Sequence, residues 1–169
     1  MIETIAILSI LWGVWGLMDK VRKFFQHFQK LGGIPPIHGR WRITSPYGWR
    51  KHPYTGKRQF HSGVDLAVPC GTPVYAPYDG TVRYKWTDAG GHQLLITSAD
   101  GKITMGFAHL QKVFKKSGWV RKGDLIALTG KSGNPPGPSK SYHCHLHITT
   151  YYNGKRVDAG KVSKKLGIA

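Results

Sequence analysis

Three short motifs gather imidazoles and one carboxylate into patterns that can do chemistry. His61-Ser62-Gly63-Val64-Asp65 sets a histidine and an aspartate four residues apart around a glycine that lets the backbone turn. Phe107-Ala108-His109-Leu110 puts a histidine at the end of a predicted strand, and His145-Leu146-His147-Ile148 lies within one. Residues two apart on a strand share a face with Cα atoms roughly 6.5–7 Å apart, so His145 and His147 can address one site while Leu146 turns to the core. Two histidines and an aspartate are the usual protein complement of a catalytic zinc whose fourth position holds water. His61, Asp65 and His147 fit that description. A metal so held acidifies water and polarises a carbonyl under attack, which leaves proton transfer to be assigned. The chain's one glutamate is Glu3, inside an apolar run, so the task falls to histidine or aspartate. His109 and His145 are the available pair.

Each motif alone is weak, because a lone histidine is more often a hydrogen-bonded surface residue and HxH also occurs by chance on exposed strands. Their joint presence in a glutamate-poor chain carries the weight. His143 shares the strand parity of His145 and His147 without an assigned role, and Cys144 has the opposite parity and should face away from the metal. Cys70 and Cys144 lack CxxC spacing, which excludes a zinc-finger or thioredoxin-type site and leaves either a disulfide or two buried thiols.

The elements that must hold these residues are strands. Short β-branched and aromatic runs at Thr81 to Trp86, Gln93 to Thr97, Lys102 to Ala108, Leu125 to Thr129 and His145 to Tyr151 are separated by turn signals at Asp79-Gly80 and Asp100-Gly101. Asn153-Gly154 is the strongest hairpin signal. No stretch after Pro36 has useful helical periodicity, so residues 40–169 are expected to form a compact, mainly β domain built on an antiparallel sheet.

The N-terminus differs. Ile5 to Met18 is uncharged, and at 14 residues it is short of the roughly 20 that cross a bilayer. Beyond it Val21, Phe24, Phe25, Phe28 and Leu31 recur at helical spacing among Lys20, Arg22, Lys23 and Lys30. The pattern predicts one hydrophobic, then amphipathic helix over residues 1–31, serving as a membrane or subunit anchor, and a Gly/Pro linker over 32–39. The start MIET lacks the basic opening of a cleavable signal peptide. A formal net charge of +17 points to an anionic partner, yet the basic residues are scattered through turns instead of forming the stripe or tract of a specific nucleic-acid binder.

From about Ile43 to Asp158 the chain resembles the lysostaphin-type zinc peptidoglycan endopeptidases. SPYGWRKHPYTGKRQFHSGVDLAVPCGTPVYAPYDGTV, ITMGFAHL and HLHI carry the likeness. The resemblance implies zinc on His61, Asp65 and His147, with His109 and His145 beside the reactive water and carbonyl, and peptidoglycan stem peptides as substrate. Phe107 stands where the family commonly has tyrosine, Ile148-Thr149 where it has Phe-Glu, and Tyr142-His143-Cys144 where it has Gly-Pro-His, after the loop GKSGNPPGPSKS. Substrate preference is therefore not carried over. A catalytically silent relative that binds wall, or an unrelated β protein using HxH for other chemistry, are the competing readings. The positive-inside rule would hold the Lys20 side of a membrane helix in the cytoplasm, on the wrong side for wall cleavage. That conflict favours a phage virion protein used in host penetration over a bacterial envelope protein.

Overall fold

The computed structural model describes residues 16, 18–52, 56–133 and 143–168. Among them the chain forms a helix α1 over residues 18–30, then strands β1 (Ile43–Ser45), β2 (Gly48–Lys51), β3 (Arg58–His61), β4 (Val64–Ala67), β5 (Pro73–Tyr75), β6 (Gly80–Thr87), β7 (Gly91–Ser98), β8 (Ile103–Val113), β9 (Ser117–Val120), β10 (Leu125–Thr129), β11 (His145–Tyr152) and β12 (Lys155–Val157), and a last helix α2 (Ala159–Lys165). The main sheet runs β1-β4-β11-β8-β7-β6-β9, with β10 pairing β5 and β8, β12 pairing β11, and every pair antiparallel. β2 and β3 form a separate hairpin.

Alternation along the strands decides which face does what. In β11 Leu146, Ile148 and Thr150 are buried while His145, His147, Thr149 and Tyr151 are only half-buried, and β7 alternates in the same way through Leu94 and Ile96. One face is thus packed and the other left open. Asn153-Gly154 makes the predicted hairpin between β11 and β12, with both residues at positive φ as a two-residue turn of that hand requires.

Part of the packed face is covered by α1. Phe24 and Phe28 stack with centroids 5.8 Å apart, Phe28 meets Tyr78 edge-on, and Val21, Phe24, Phe25 and Phe28 belong to the same buried core as Val64, Leu94, Met105 and Leu146. His27 bonds Asp100 in the β7–β8 turn. Gly32, at φ 62, ends the helix: its N–H reaches the Gln29 carbonyl and that of Gly33 the Phe28 carbonyl, the paired bonds of a Schellman motif. Ile34 and Tyr75 then tie the following segment to the sheet region through bonds to Pro77 and Pro36, and Ile37 is buried in the core.

Two expectations need correction. The amphipathic half of the predicted anchor does not stand apart from the domain behind a linker; its apolar face is covered by this chain's own sheet, so the physical unit begins well before residue 40. The apolar run upstream falls almost entirely outside the described residues, and among the described residues no helix is long and apolar enough to cross a membrane. Helix α2 was not expected. It is seven residues long, too short for periodicity to register, and it is set by the Asp158 cap, whose carboxylate accepts from the Gly160 and Lys161 N–H groups.

Phe28→Ala should therefore cost about 3–5 kcal/mol of stability, the range for truncating a buried phenylalanine. Equilibrium urea unfolding measures it, and a loss below ~1 kcal/mol would return α1 to the role of an independent appendage.

Candidate metal centre

Strand register assembles the centre. Asp65 on β4 lies opposite His147 on β11, and His147 lies opposite Ala108 on β8. Directly opposed residues point to one face, so these pairings put the carboxylate and the imidazole on the open face side by side. His61, at the end of β3, comes in from the hairpin. The ligand atoms of His61, Asp65 and His147 all lie within 4.8 Å of one another. His61 Nε2 is 3.2 Å from His147 Nδ1 and 3.3 Å from Asp65 Oδ1, and His147 Nδ1 is 2.7 Å from Asp65 Oδ1. Tetrahedral ligands at the usual zinc bond lengths are about 3.3 Å apart, so the donor set and two of the three spacings suit that metal and the third is a hydrogen bond it would replace.

The surroundings fix the ligating atoms. His61 Nδ1 donates to the Pro46 carbonyl at 2.8 Å, which leaves the lone pair on Nε2, toward the cluster. Burial on its own would raise the pKa of Asp65, but hydrogen bonds from His147 and His61 outweigh it and hold the carboxyl far below the ordinary range. It is an anion at any pH where the protein works. Gly63 has a different use from the expected turn. A Cβ there would lie 2.4 Å from the Ile148 carbonyl oxygen and 2.6 Å from His147 Nε2, so glycine makes room for the His147 ring.

His109 and His145 flank the cluster, with ring centroids 4.5 Å apart, and the His109 ring is 6.1 Å from that of His147. The strand does not end at His109 as expected; β8 continues to Val113. Its partner changes there, from β11 up to Ala108 to β10 from Leu110, and the register against β7 slips between His92 and Leu94. His109 takes φ 62 at this break, a left-handed conformation uncommon for a residue with a side chain. The ring is then clamped. Its Nδ1 donates to the Ser132 carbonyl at 3.0 Å while its backbone N–H reaches Gly90, and Ser132 is itself held by the His92 N–H. Burial, followed by the charge of His145, pushes the His109 pKa down to about 4, against the pull of the Ser132 bond. The imidazole is neutral near pH 7. His145 Nδ1 donates to the His143 carbonyl at 2.9 Å, which gives His143 a use through its backbone.

Cys144 is bridged to Cys70, which resolves the alternatives left open by spacing. The bridge joins the start of β11 to the segment after β4, the two strands that carry His147 and Asp65. Sequence reasoning missed Ser132, Gly63's packing role and the Pro46 carbonyl. The only signals were glycines at 63, 90, 91 and 133, since a Cβ at Gly91 would meet Ser132 and one at Gly133 would meet Gly91. Residues 134–141 of the loop GKSGNPPGPSKS, and Tyr142, fall outside the described residues.

An antiparallel sheet that carries a His-Asp-His cluster on its open face, with two more imidazoles beside it, is the framework of a hydrolytic metal site. The profile of peptidase family M23 matches residues 59–159, a span that takes in all five side chains, and the chain belongs to that family. It is 37% identical over 123 residues to the DD-carboxypeptidase/endopeptidase Mpg of Neisseria meningitidis and 32% identical over 148 residues to the peptidoglycan DD-endopeptidase ShyA of Vibrio cholerae. These alignments cover 72% and 86% of this chain but only 27% and 31% of the relatives' lengths. Among solved structures, a zinc-containing peptidase from Vibrio cholerae superposes with TM-score 0.61 at 34% identity, covering 73% of this chain and 37% of that one. The catalytic domain of lysostaphin from Staphylococcus simulans superposes with TM-score 0.59 at 26% identity, covering 73% and 92%.

Gly63→Ala should push the His147 ring aside and weaken zinc binding by about 10–100-fold, the usual cost of disturbing a ligand's support. Competition with a chromophoric chelator reads the affinity. Unchanged affinity would show that His147 has room to spare and that the packing account is wrong.

Proposed function

We propose that the chain is a zinc-dependent endopeptidase that hydrolyses peptide cross-links of bacterial peptidoglycan. The observation that carries this reading is the convergence of His61, Asp65 and His147 beside the His109–His145 pair. Support comes from the family and from relatives whose names specify peptidoglycan endopeptidases.

In this mechanism zinc supplies Lewis acidity, polarising the scissile carbonyl and acidifying water. The protein supplies the rest. Asp65, permanently ionised, and the two imidazoles fix the metal's position on the open face, where an extended stem peptide can lie. His109, neutral and with its Nδ1 proton committed to Ser132, presents the Nε2 lone pair that takes the proton of the attacking water. Its lowered basicity then favours passing that proton to the leaving amine. His145, packed against it, is the group placed to donate to the charge developing on the carbonyl oxygen. No carboxylate is required for these steps, which suits a chain whose one glutamate is Glu3.

The Cys70–Cys144 bridge favours an oxidising location outside the cytoplasm, where the wall is. A bacterial envelope protein and a phage particle that opens the wall both satisfy this, and we favour the virion on the charge asymmetry around the upstream apolar run. The membrane or protein assembly that holds the protein there would engage that run, because the amphipathic half of the helix is occupied by the core.

His147→Ala should lose zinc and activity together, whereas His109→Ala should keep zinc and the native melting temperature while turnover falls roughly 10²–10⁴-fold. Zinc content, thermal melting and cleavage of purified muropeptides are read on both. A zinc-free His109→Ala or an active His147→Ala overturns the roles, and intact wall binding without cleavage by the native zinc protein would identify a silent binder.

Recruitment to intact wall should also weaken with salt more steeply than cleavage of a small soluble peptide, because long-range attraction by the +17 chain is screened over about 8 Å at physiological ionic strength. Rates on the two substrates across a salt series test it; parallel curves would remove net charge from substrate capture.

A further inference from the structure

The open face extends beyond the metal centre, and register shows where it leads. Alternation carries the metal's face from His147 through Thr149 to Tyr151 along β11. Tyr151 pairs with Thr104 on β8, Thr104 with Thr97 on β7, and Arg83 on β6 pairs with Leu95 on β7. These residues line an open depression of about 270 Å³ whose wall includes Gly154 of the β11–β12 turn. Between the depression and the metal centre the Thr149 side chain lies over Gly106, where an added Cβ would come within 2.4 Å of Thr149 Oγ1.

The polar groups in the depression have one character. The Thr97 and Thr104 hydroxyls are 3.1 Å apart. Tyr151 is fixed by Arg156, whose Nε donates to its hydroxyl at 3.4 Å and whose guanidinium lies 5.8 Å from the ring centroid. Arg83 forms no ion pair among the described residues. A cation and two hydroxyls in a recess form the complement of a carboxylate. Three to four strand residues separate the depression from His147, about 10–13 Å, which an extended peptide spans in three to four residues.

We propose that the depression lined by Arg83, Thr97, Thr104 and Tyr151 is a carboxylate-reading subsite for the substrate, recognising an acidic group of the peptide stem three to four residues from the scissile bond. It rests on the peptidoglycan reading of the metal centre and specifies which feature of the stem the enzyme selects. Arg83 supplies the charge, the threonines supply hydrogen bonds, and Tyr151 forms the wall nearest the metal strand.

The test uses the full-length zinc-loaded protein and two soluble stem-peptide dimers that differ only in whether the carboxylates at that distance are free or amidated. The native protein should cleave the free-acid dimer with kcat/KM about tenfold above the amidated one, the difference lying in KM. Arg83→Gln should abolish the preference by raising KM for the free acid alone, Arg83→Lys should keep part of it, and zinc content and melting temperature should stay native. Equal cleavage of both dimers by the native protein, or an equal loss on both in Arg83→Gln, overturns the subsite. Cleavage of neither dimer overturns the peptidoglycan reading instead, and the subsite is then decided by calorimetric Kd values. A free-acid preference lost in Arg83→Gln supports it, and equal affinities sink it.

Discussion

The pairing of β11 between β4 and β8 is the constraint on which the rest depends. It puts Asp65 opposite His147 and His147 opposite Ala108, so one register sets the carboxylate beside its imidazole and beside the strand that carries His109. A slip of one residue would turn His145 and His147 into the core and bring Leu146 out. Burial of Leu146 and Ile148 against the hydrophobic core opposes that slip, and the bridge from Cys144 to Cys70 pins the start of the strand. The energy that positions the metal site is thus largely apolar packing on the opposite face.

That division explains the place of α1. An antiparallel sheet with one open face must have its other face covered, and the aromatic side of α1 covers part of it. The open face is then free to be polar, with the His61, Asp65 and His147 cluster toward one end and the Arg83 depression toward the other. His109 lies where β8 exchanges one partner strand for another, and the irregular backbone that such a break demands is what turns its ring toward the centre. A regular strand would have continued the alternation past the site.

Much of this was legible from residue order. Strands β6, β7, β8, β10 and β11 were located, because alternation and turn dipeptides such as Asn153-Gly154 encode them locally, whereas β3 and β4, which carry His61 and Asp65, were not read as strands. The His61, Asp65 and His147 cluster was legible because HxH on a strand puts two imidazoles on one face and HxxxD brings a carboxylate to complement them. What stayed hidden depends on contacts between distant segments. The partner exchange at His109 is written in β10 and β11, not in its own strand. The amphipathic face of α1 was visible, but an apolar face does not say whether lipid, a subunit or its own sheet will cover it. Gly63 looked like a turn residue because the ring it accommodates lies 84 positions further on. Arg83 was one of 25 basic residues until register put it in a recess on the metal's face.

The central claim is that three named side chains, and no cysteine, hold the metal. Zinc-edge X-ray absorption on the reconstituted full-length protein measures this directly. The account predicts a first shell of nitrogen and oxygen only, with outer-shell scattering from two imidazoles that falls to one in His147→Ala. Sulfur in the first shell, or imidazole scattering unchanged by that substitution, would contradict it.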